Sequence, residues 1–265
     1  MKITALVENI SNTDLIAVHG LSLFIETEKH NILFDLGPDD TLFKNANKLN
    51  IDLSLVDIVF ISHGHFDHGG ALKRFLDINT TAKIYIQRKA FEKHFNKIGF
   101  FKISVGLDAT LINHPQIILV DGDLKIDDEL SLFIVEETSK CRSPENDHLY
   151  IKEGKDTFLH EQNLIIHEKQ TALILGCGHA GVVNILDKAK SHHPQVCVGG
   201  YHLAYPVTKK NINIDLLNQI IKELENYPNI SFYTCHCTGI RNYEYLASKL
   251  ETMHYLTCGD MLHFD

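Results

Sequence analysis

Short apolar runs separated by polar turns make up most of this chain. Near its start, three such runs predict strands over residues 2–7, 21–27 and 31–36, arranged as a meander at one side of a sheet. Apolar positions then recur with helical spacing, so a helix is predicted from Asp39 and Asp40, which can cap it, to about Asn50.

The pattern then changes to alternating strands and helices. Residues 56–62 and 83–87 predict buried strands, a helix begins within 70–76, and 88–97 predicts a short helix. This alternation with short connectors is typical of a layered α/β architecture.

The stretch from about 98 to 170 is less regular. Residues 117–120 and 124–126 suggest a hairpin, and further strands are predicted within 130–136 and 156–167. We interpret the stretch as an elaboration of the same domain. It either shapes substrate access or is purely structural.

Three later strands, predicted at 171–175, 196–198 and 230–234, are each followed by a histidine and then by a helix, with helices at 182–190, 213–226 and 243–251. Ligands collect outside the carboxyl ends of strands in open α/β sheets. The polar residues that follow four strands are therefore expected to converge on one site. They are His63, His65, Asp67, His68, His179, His202 and His236.

The densest group of these residues lies after the strand at 56–62. His63, His65, Asp67 and His68 place three imidazoles and one carboxylate within six residues. In an extended segment, His63 and His65 share a face and can bind one ion, while Asp67 and His68 lie in the following turn and can hold a second. A chain with 17 histidines also contains chance pairs that are only solvated. Buried without an ion, however, these groups would be costly.

Size and charge limit the classes of binding partner that are expected. With 265 residues, a single domain over residues 1–265 is the default. The 25 Lys and Arg against 34 Asp and Glu give a net charge of -9, which disfavours nucleic acid and favours a small-molecule substrate. No apolar run approaches the length of a membrane span. The oligomeric state is not predicted.

Six cysteines are present, and no secretory signal is recognised, so we expect them to be reduced and the protein to be cytoplasmic. Cys235 and Cys237 bracket His236. They are interpreted as small buried side chains, with thiolate ligation of a metal as the alternative.

The motifs together resemble the metallo-β-lactamase-fold superfamily. The resemblance rests on H-x-H-x-D-H at 63–68, the glycine-flanked His179 and the C-terminal His236. The phrases G-C-G-H-A-G at 176–181, G-G-Y-H-L at 199–203 and H-C-T-G at 236–239 resemble one branch of it, the dihydropteroate-synthase-like branch named for 7,8-dihydropterin-6-ylmethyl-4-(β-D-ribofuranosyl)aminobenzene 5'-phosphate synthases. The resemblance extends from Asp35 to the last helix.

This resemblance implies a four-layer αβ/βα sandwich with two mixed sheets and helices outside. It also implies a dinuclear metal site in which His63, His65 and His179 hold one ion and Asp67, His68 and His236 hold the other. Imidazole and carboxylate ligands suit zinc, which is the expected metal, and also accept manganese or iron. A water shared by two ions can ionise near neutral pH and attack an electrophile.

One position departs from the pattern. Many relatives have an aspartate that bridges the metals after the strand between the last two histidine motifs, whereas this chain has Gly199-Gly200-Tyr201-His202 there. The metals are then bridged by solvent, bound less tightly, or only one site is well occupied. We favour His202 as a polar group that faces substrate or donates a proton, with metal ligation or a structural role as alternatives.

Other residues receive weaker assignments. The resemblance implies that Asp35 supports a metal-bound histidine, with a helix or turn cap as the alternative. Asp156 and Glu161 belong to a stretch that also resembles the branch, but no chemistry is assigned to them. Tyr201 and Tyr205 are interpreted as packing residues.

The function expected from these residues is metal-dependent hydrolysis of a small phosphorylated or ester-type substrate, with Asp67 orienting the attacking water and His202 assisting catalysis. One alternative is a transferase that joins a dihydropterin diphosphate to an aminobenzene ribofuranosyl phosphate. Another is a metal-stabilised ligand-binding protein without turnover. A flavodiiron-type oxidoreductase is disfavoured because His65 stands where that class has Glu, and a nuclease is disfavoured by the acidic charge balance.

Overall fold

Two large sheets pack face to face in the computed structural model, which describes residues 1–204 and 212–264. Tyr205 lies outside these described residues. In chain order the strands are β1 Lys2–Val7, β2 Ser22–Glu26, β3 Asn31–Phe34, β4 Ile58–Ile61, β5 Lys83–Gln87, β6 Phe95–Ile98, β7 Phe101–Ser104, β8 Ile117–Val120, β9 Leu124–Lys125, β10 Leu130–Ile134, β11 Leu149–Ile151, β12 Gly154–Lys155, β13 Gln162–His167, β14 Thr171–Ile174, β15 Val196–Gly199, β16 Ser231–Thr234, β17 Met253–Tyr255 and β18 Met261–His263.

Helices connect many of these strands. The α-helices are α1 Thr41–Lys48, α2 Phe66–Gly69, α3 Leu72–Ile78, α4 Val182–Ala189, α5 Ile214–Leu224 and α6 Ile240–Ala247. Short 3₁₀ turns are found at Leu53–Leu55, Arg88–Phe91, Ala109–Leu111, Pro144–His148, Lys190–His192 and His236–Thr238. Among the described residues, these helices are all too short or too polar to cross a bilayer.

Both sheets combine parallel and antiparallel pairs. The first has the order β18-β1-β2-β3-β4-β5-β8 and the second has the order β17-β16-β15-β14-β13-β10-β9. The antiparallel pairing of β1 with β2 and of β2 with β3 confirms the predicted N-terminal meander. Strands β3, β4 and β5 run parallel in one sheet, and β14, β15 and β16 run parallel in the other. Each sheet therefore has several strand ends at one edge.

Alternating side chains place each sheet between two apolar layers. In β4, Ile58 and Phe60 join the core between the sheets, and Val59 and Ile61 join the core beneath α1 and α3. In β14 the same alternation sends Leu173 to the layer formed with α4, α5 and α6. The structure therefore consists of a helix layer, two sheets and a second helix layer, which confirms the predicted αβ/βα sandwich.

The helix predicted at 88–97 is wrong. The segment forms only the 3₁₀ turn Arg88–Phe91 and then enters β6, which pairs with β7 and β11 in a small third sheet of order β12-β11-β6-β7. Buried and exposed positions do not alternate along β6, and its residues are at most partly buried. Local periodicity therefore did not reveal this strand, which depends on pairing with residues far along the chain.

The hairpin predicted at 117–126 is also wrong. β8 pairs in parallel with β5 in the first sheet, whereas β9 pairs with β10 in the second. The turn between β8 and β9 therefore leads the chain from the first sheet to the second instead of reversing it within one sheet. The Gln87 side chain fixes this crossing, because its amide donates to Gly122 O and accepts from Gly122 N.

Gln162 at the start of β13 joins the two sheets next to the histidine motif. Its side-chain amide donates to Ile61 O at 2.8 Å and to Tyr85 O at 3.0 Å, and its backbone N–H donates to Ser62 O at 2.7 Å. Ile61 ends β4, Ser62 follows it, and Tyr85 lies in the middle of β5. One side chain therefore satisfies buried acceptors of the opposite sheet.

Replacing Gln162 by Leu is expected to lower the free energy of unfolding by about 1–3 kcal/mol, because buried carbonyls lose their donors. Urea denaturation followed by circular dichroism measures the change. The matched control is Gln195→Leu, which removes an acceptor for Thr171 N at an exposed position, where water can replace it. A loss no larger than that of the control would contradict the proposed contribution of Gln162.

Candidate metal centre

The polar residues predicted to converge lie together at one edge of the sandwich. β4 leads into the H-x-H-x-D-H motif, and β14, β15 and β16 lead to the later histidines. All of them are buried, the most exposed retaining 8% of their surface. The residues brought together are His63, His65, Asp67, His68, His179, His202 and His236.

His63, His65 and His179 form the first triad. One ring nitrogen of each lies within 4.8 Å of the others. Their Nε2 atoms are inaccessible to solvent and have no hydrogen-bond partner. A buried imidazole nitrogen without a partner is costly, and three that face one another match the donor set of a divalent metal.

The outer ring nitrogens explain why these Nε2 atoms face inward. Ser62 Oγ donates to Asp35 and therefore accepts from His63 Nδ1, 2.8 Å away. Asn146 donates its amide N–H to His179 O and accepts from His179 Nδ1 at 2.8 Å. Both imidazoles are thereby held with the proton on Nδ1 and a lone pair on Nε2, the state that binds a metal.

Burial keeps the first triad neutral. It lowers the pKa of His63, His65 and His179 well below the usual value for histidine, and neighbouring histidines lower it further. Only a neutral imidazole can donate a lone pair to a metal. The electrostatic environment of these side chains therefore fits metal binding.

Asp67, His68 and His236 form the second triad. The Nε2 atoms of His68 and His236 lie 3.2 Å apart, and Asp67 Oδ2 lies 3.8 Å from the first and 3.4 Å from the second. Asn9 Oδ1 lies 2.8 Å from His236 Nδ1 and directs Nε2 inward, as Asn146 does for His179. His19, which the sequence did not single out, adds an Nε2 atom 3.2 Å from Asp67 Oδ2.

Asp35 contacts the second triad from outside. Its Oδ2 lies 2.6 Å from His68 Nδ1 and accepts from Ser62 Oγ, while its Oδ1 accepts from Ser62 N. Burial lowers the pKa of His68, but Asp35 and Asp67 outweigh that effect and raise it to about 9, so an ion held by His68 would have to displace a proton from it. Asp35 thus supports a histidine of the triad, as the resemblance implies, and it does not cap a helix.

His202 lies over the first triad. Its ring centroid is 4.1 Å from that of His179, and one of its nitrogens lies within 4.8 Å of a nitrogen of His179 and of Cys177 Sγ. Its backbone has φ of +48° and is held by a hydrogen bond from its N–H to Cys237 Sγ at 3.3 Å. The imidazole therefore faces the cleft above the cluster.

A cleft opens over both triads. Its empty volume, including space open to solvent, is about 530 Å³. Phe66, Val105, Leu149 and Ala204 supply apolar surface, and Asn96 belongs to β6 of the small third sheet. The polar residues that line it include His19, His65, Asp67, His202 and His236. A small molecule in this cleft would therefore contact residues of both triads.

A further group of buried residues supports the H-x-H loop. Asp156 Oδ2 lies 2.8 Å from His94 Nδ1 and 3.2 Å from His160 Nε2, and His160 Nδ1 accepts from Gly64 N at 2.9 Å. A Cβ at Gly64 would lie 2.4 Å from Ala90 O, so only glycine allows this close approach. The group holds the backbone between His63 and His65.

Glu161 performs the equivalent task on the other side of the first triad. Its carboxylate accepts from His179 N at 2.8 Å and from Ala180 N at 2.9 Å. Burial raises the pKa of Glu161 to about 7. Residues 156–162 therefore contact both histidine loops.

Sequence reasoning missed His94, His160 and His19, and it assigned no chemistry to Asp156 or Glu161. His94 and Asp156 are 62 positions apart and meet only through the third sheet. In the sequence, the one local sign of this buried group is that His160 follows Asp156 by four residues, just before a strand.

Sheets, layers and the histidine cluster together define a protein of the metallo-β-lactamase type. The family model described as the metallo-beta-lactamase superfamily matches residues 15–160, and the chain belongs to this superfamily. The family predicted from the motifs is thereby confirmed.

Individual relatives match nearly end to end. A 7,8-dihydropterin-6-methyl-4-(beta-D-ribofuranosyl)-aminobenzene-5'-phosphate synthase of Methanocaldococcus jannaschii is 27% identical, and the match covers 100% of this chain and 97% of that protein. The crystal structure of Tm1679, a metal-dependent hydrolase of the beta-lactamase superfamily, is 26% identical with a TM-score of 0.81, covering 100% and 99%. An isothiocyanate hydrolase from Delia radicum gut bacteria shares the fold, with a TM-score of 0.58 and 14% identity over 100% and 99%.

Asp156→Asn is expected to lower the free energy of unfolding by about 1.5–3 kcal/mol, since a buried charged acceptor of two imidazoles is lost. Urea denaturation of the metal-free protein measures this. Asp147→Asn is the matched control, because Asp147 pairs with Arg142 and Lys155 at the surface and should change stability by less than about 1 kcal/mol. Equal effects of the two substitutions would show that the buried group does not support the loop.

Proposed function

We propose that this protein is a metal-dependent hydrolase with two divalent ions. His63, His65 and His179 would hold one, and Asp67, His68 and His236 the other. The observation that carries the proposal is the set of three buried Nε2 atoms that face one another without partners. The metal-dependent hydrolase at TM-score 0.81 supports it.

The ligands suggest the metal. Five imidazoles and one carboxylate are donors that zinc accepts readily, while manganese and iron accept them as well. We therefore propose zinc as the ion of the active protein. When bound, a pair of such ions would lower the pKa of a water and stabilise negative charge that develops on the substrate.

The residues around the ions would orient and move protons. Asp67 lines the cleft, and its Oδ2 is close to His19 and His236, so a water that donates to Asp67 would be oriented toward the substrate. His202 faces the same cleft and can donate a proton to a leaving group. Phe66 and Leu149 would contact the apolar part of a substrate.

The lining suggests the substrate class. Among the described residues, the lining includes apolar side chains and histidines but no Lys or Arg. Bound phosphates are commonly held by such cations. A small ester-type substrate therefore suits the described lining better than a diphosphate.

A transferase is the second candidate, and one observation favours it. The Methanocaldococcus jannaschii synthase matches the whole chain at 27% identity. Measuring whether pyrophosphate release from a dihydropterin diphosphate requires the aminobenzene ribofuranosyl phosphate acceptor, alongside hydrolysis of p-nitrophenyl esters, phosphodiesters and simple lactones, separates the two. Pterin-dependent pyrophosphate release without hydrolysis would replace our proposal with the transferase.

His63→Ala is expected to lower the bound metal and abolish hydrolysis, because His63 would be a ligand of the first ion. Metal content is measured by mass spectrometry after gel filtration, and rates are measured on the same sample. The control is His254→Ala, at an exposed histidine on β17. Full metal content and a normal rate in the His63 variant would contradict the ligand assignment.

His202→Gln is expected to retain both ions and to lower kcat by about 10²–10⁴-fold, the usual contribution of a general acid. The effect should shrink for substrates with better leaving groups, which need less protonation. A kcat that is lowered equally for all leaving groups would reject the proton-donor role, and loss of an ion would make His202 a ligand instead.

A further inference from the structure

Cys177 lies at the centre of the two triads, although its sequence position gave no sign of this. It follows β14 two residues before His179, and it is buried at 3% exposure. Its Sγ lies 3.2 Å from His68 Nε2, the nitrogen that faces Asp67 and His236. The thiol therefore contacts a donor atom of the second triad directly.

The same sulfur is also close to the first triad. Donor atoms of His63, His68 and Cys177 all lie within 4.8 Å of one another, and so do those of Cys177, His179 and His202. A third group places Cys177 Sγ within 4.8 Å of a His236 nitrogen. The sulfur thus lies near two members of each triad, in the region that separates the two proposed ions.

Packing at the end of β15 leaves no room for a side chain at Gly200. A Cβ at Gly200 would lie 2.5 Å from Cys237 Sγ and 3.1 Å from Gly176 O. The Cys237 thiol and backbone atoms therefore fill the space that a side chain at Gly200 would need.

Cys237 is the other thiol nearby, and its contacts differ. Its Sγ accepts from His202 N at 3.3 Å and donates to Cys177 O at 3.4 Å, so backbone groups engage it on both sides. Cys237 Sγ also lies within 4.8 Å of a His236 nitrogen, but Cys177 Sγ is the one that contacts a ring nitrogen of the second triad at 3.2 Å, on His68. The three partnerless Nε2 atoms of the first triad are the independent sign that an ion belongs beside it.

We propose that Cys177 supplies a thiolate that bridges the two ions in place of the absent carboxylate. This inference rests on the proposed dinuclear site. If ions bind, Cys177 would lose its thiol proton to solvent and its sulfur would serve as the ligand, since metal-bound thiols are deprotonated. With Asp67, His68 and His236, the thiolate would give the second ion two nitrogens, one oxygen and one sulfur, a set that favours zinc.

Cobalt(II) substitution tests this inference without an activity assay. Apoprotein is titrated with cobalt, and the near-ultraviolet thiolate-to-cobalt charge-transfer band is recorded beside the visible d–d bands. A bridging thiolate predicts that the charge-transfer band grows over both equivalents of cobalt. X-ray absorption of the zinc protein should show a sulfur neighbour at about 2.3 Å.

Substitutions of individual cysteines identify which sulfur binds the metal. Cys177→Ser is expected to lose the charge-transfer band and the sulfur neighbour, whereas Cys237→Ser and the half-buried Cys141→Ser should keep both. Loss in the Cys237 variant with retention in the Cys177 variant would assign the ligand to Cys237 and overturn the proposal. Growth of the band over one equivalent only would overturn the bridging role.

The wild-type spectrum keeps the test decisive even if a variant fails to fold. Two bound cobalt ions without a charge-transfer band would reject thiolate ligation while leaving the dinuclear site intact. Absence of any cobalt binding would reject the proposed function itself. A charge-transfer band without hydrolysis of any ester or phosphoester would support the ligand and contradict only the hydrolase.

Discussion

The geometry of the candidate metal centre depends on three buried imidazole nitrogens that have no hydrogen-bond partner in the protein. The Nε2 atoms of His63, His65 and His179 face one another away from solvent, and leaving each unsatisfied costs on the order of 1–3 kcal/mol. Such an arrangement is stable only if the rest of the fold holds it in place. Hydrogen bonds to Ser62 and Asn146 do so from the far side of two of the rings.

One short segment also holds the two loops that carry these histidines. Residues 156–162 bind the backbone at Gly64 through His160, the loop of His179 through Glu161 and the end of β4 through Gln162. The two histidine loops belong to different sheets, so this segment fixes their separation before an ion arrives. Preorganisation of this kind reduces the reorganisation that metal binding requires.

The sequence predicted those features that depend on local pattern. Apolar runs indicate buried strands. The residues that follow β4, β14, β15 and β16 were expected to meet because parallel strands end at one edge. Features that depend on distant pairing were missed. The chain after Arg88 joins a strand more than fifty residues later, and the contact of Cys177 with His68 joins residues 109 positions apart. No periodicity encodes such contacts.

The same geometry couples metal binding to the packing of the two sheets. Each triad combines ligands that follow β4 in the first sheet with one that follows β14 or β16 in the second. An ion in either triad would therefore connect both sheets, and its binding free energy would add to the stability of the sandwich, since the unfolded chain offers no comparable site. The sheets meet across an apolar core whose strand ends carry the polar groups. In this chain, the edge that would bind ions is thus also an edge where side chains of one sheet reach the other.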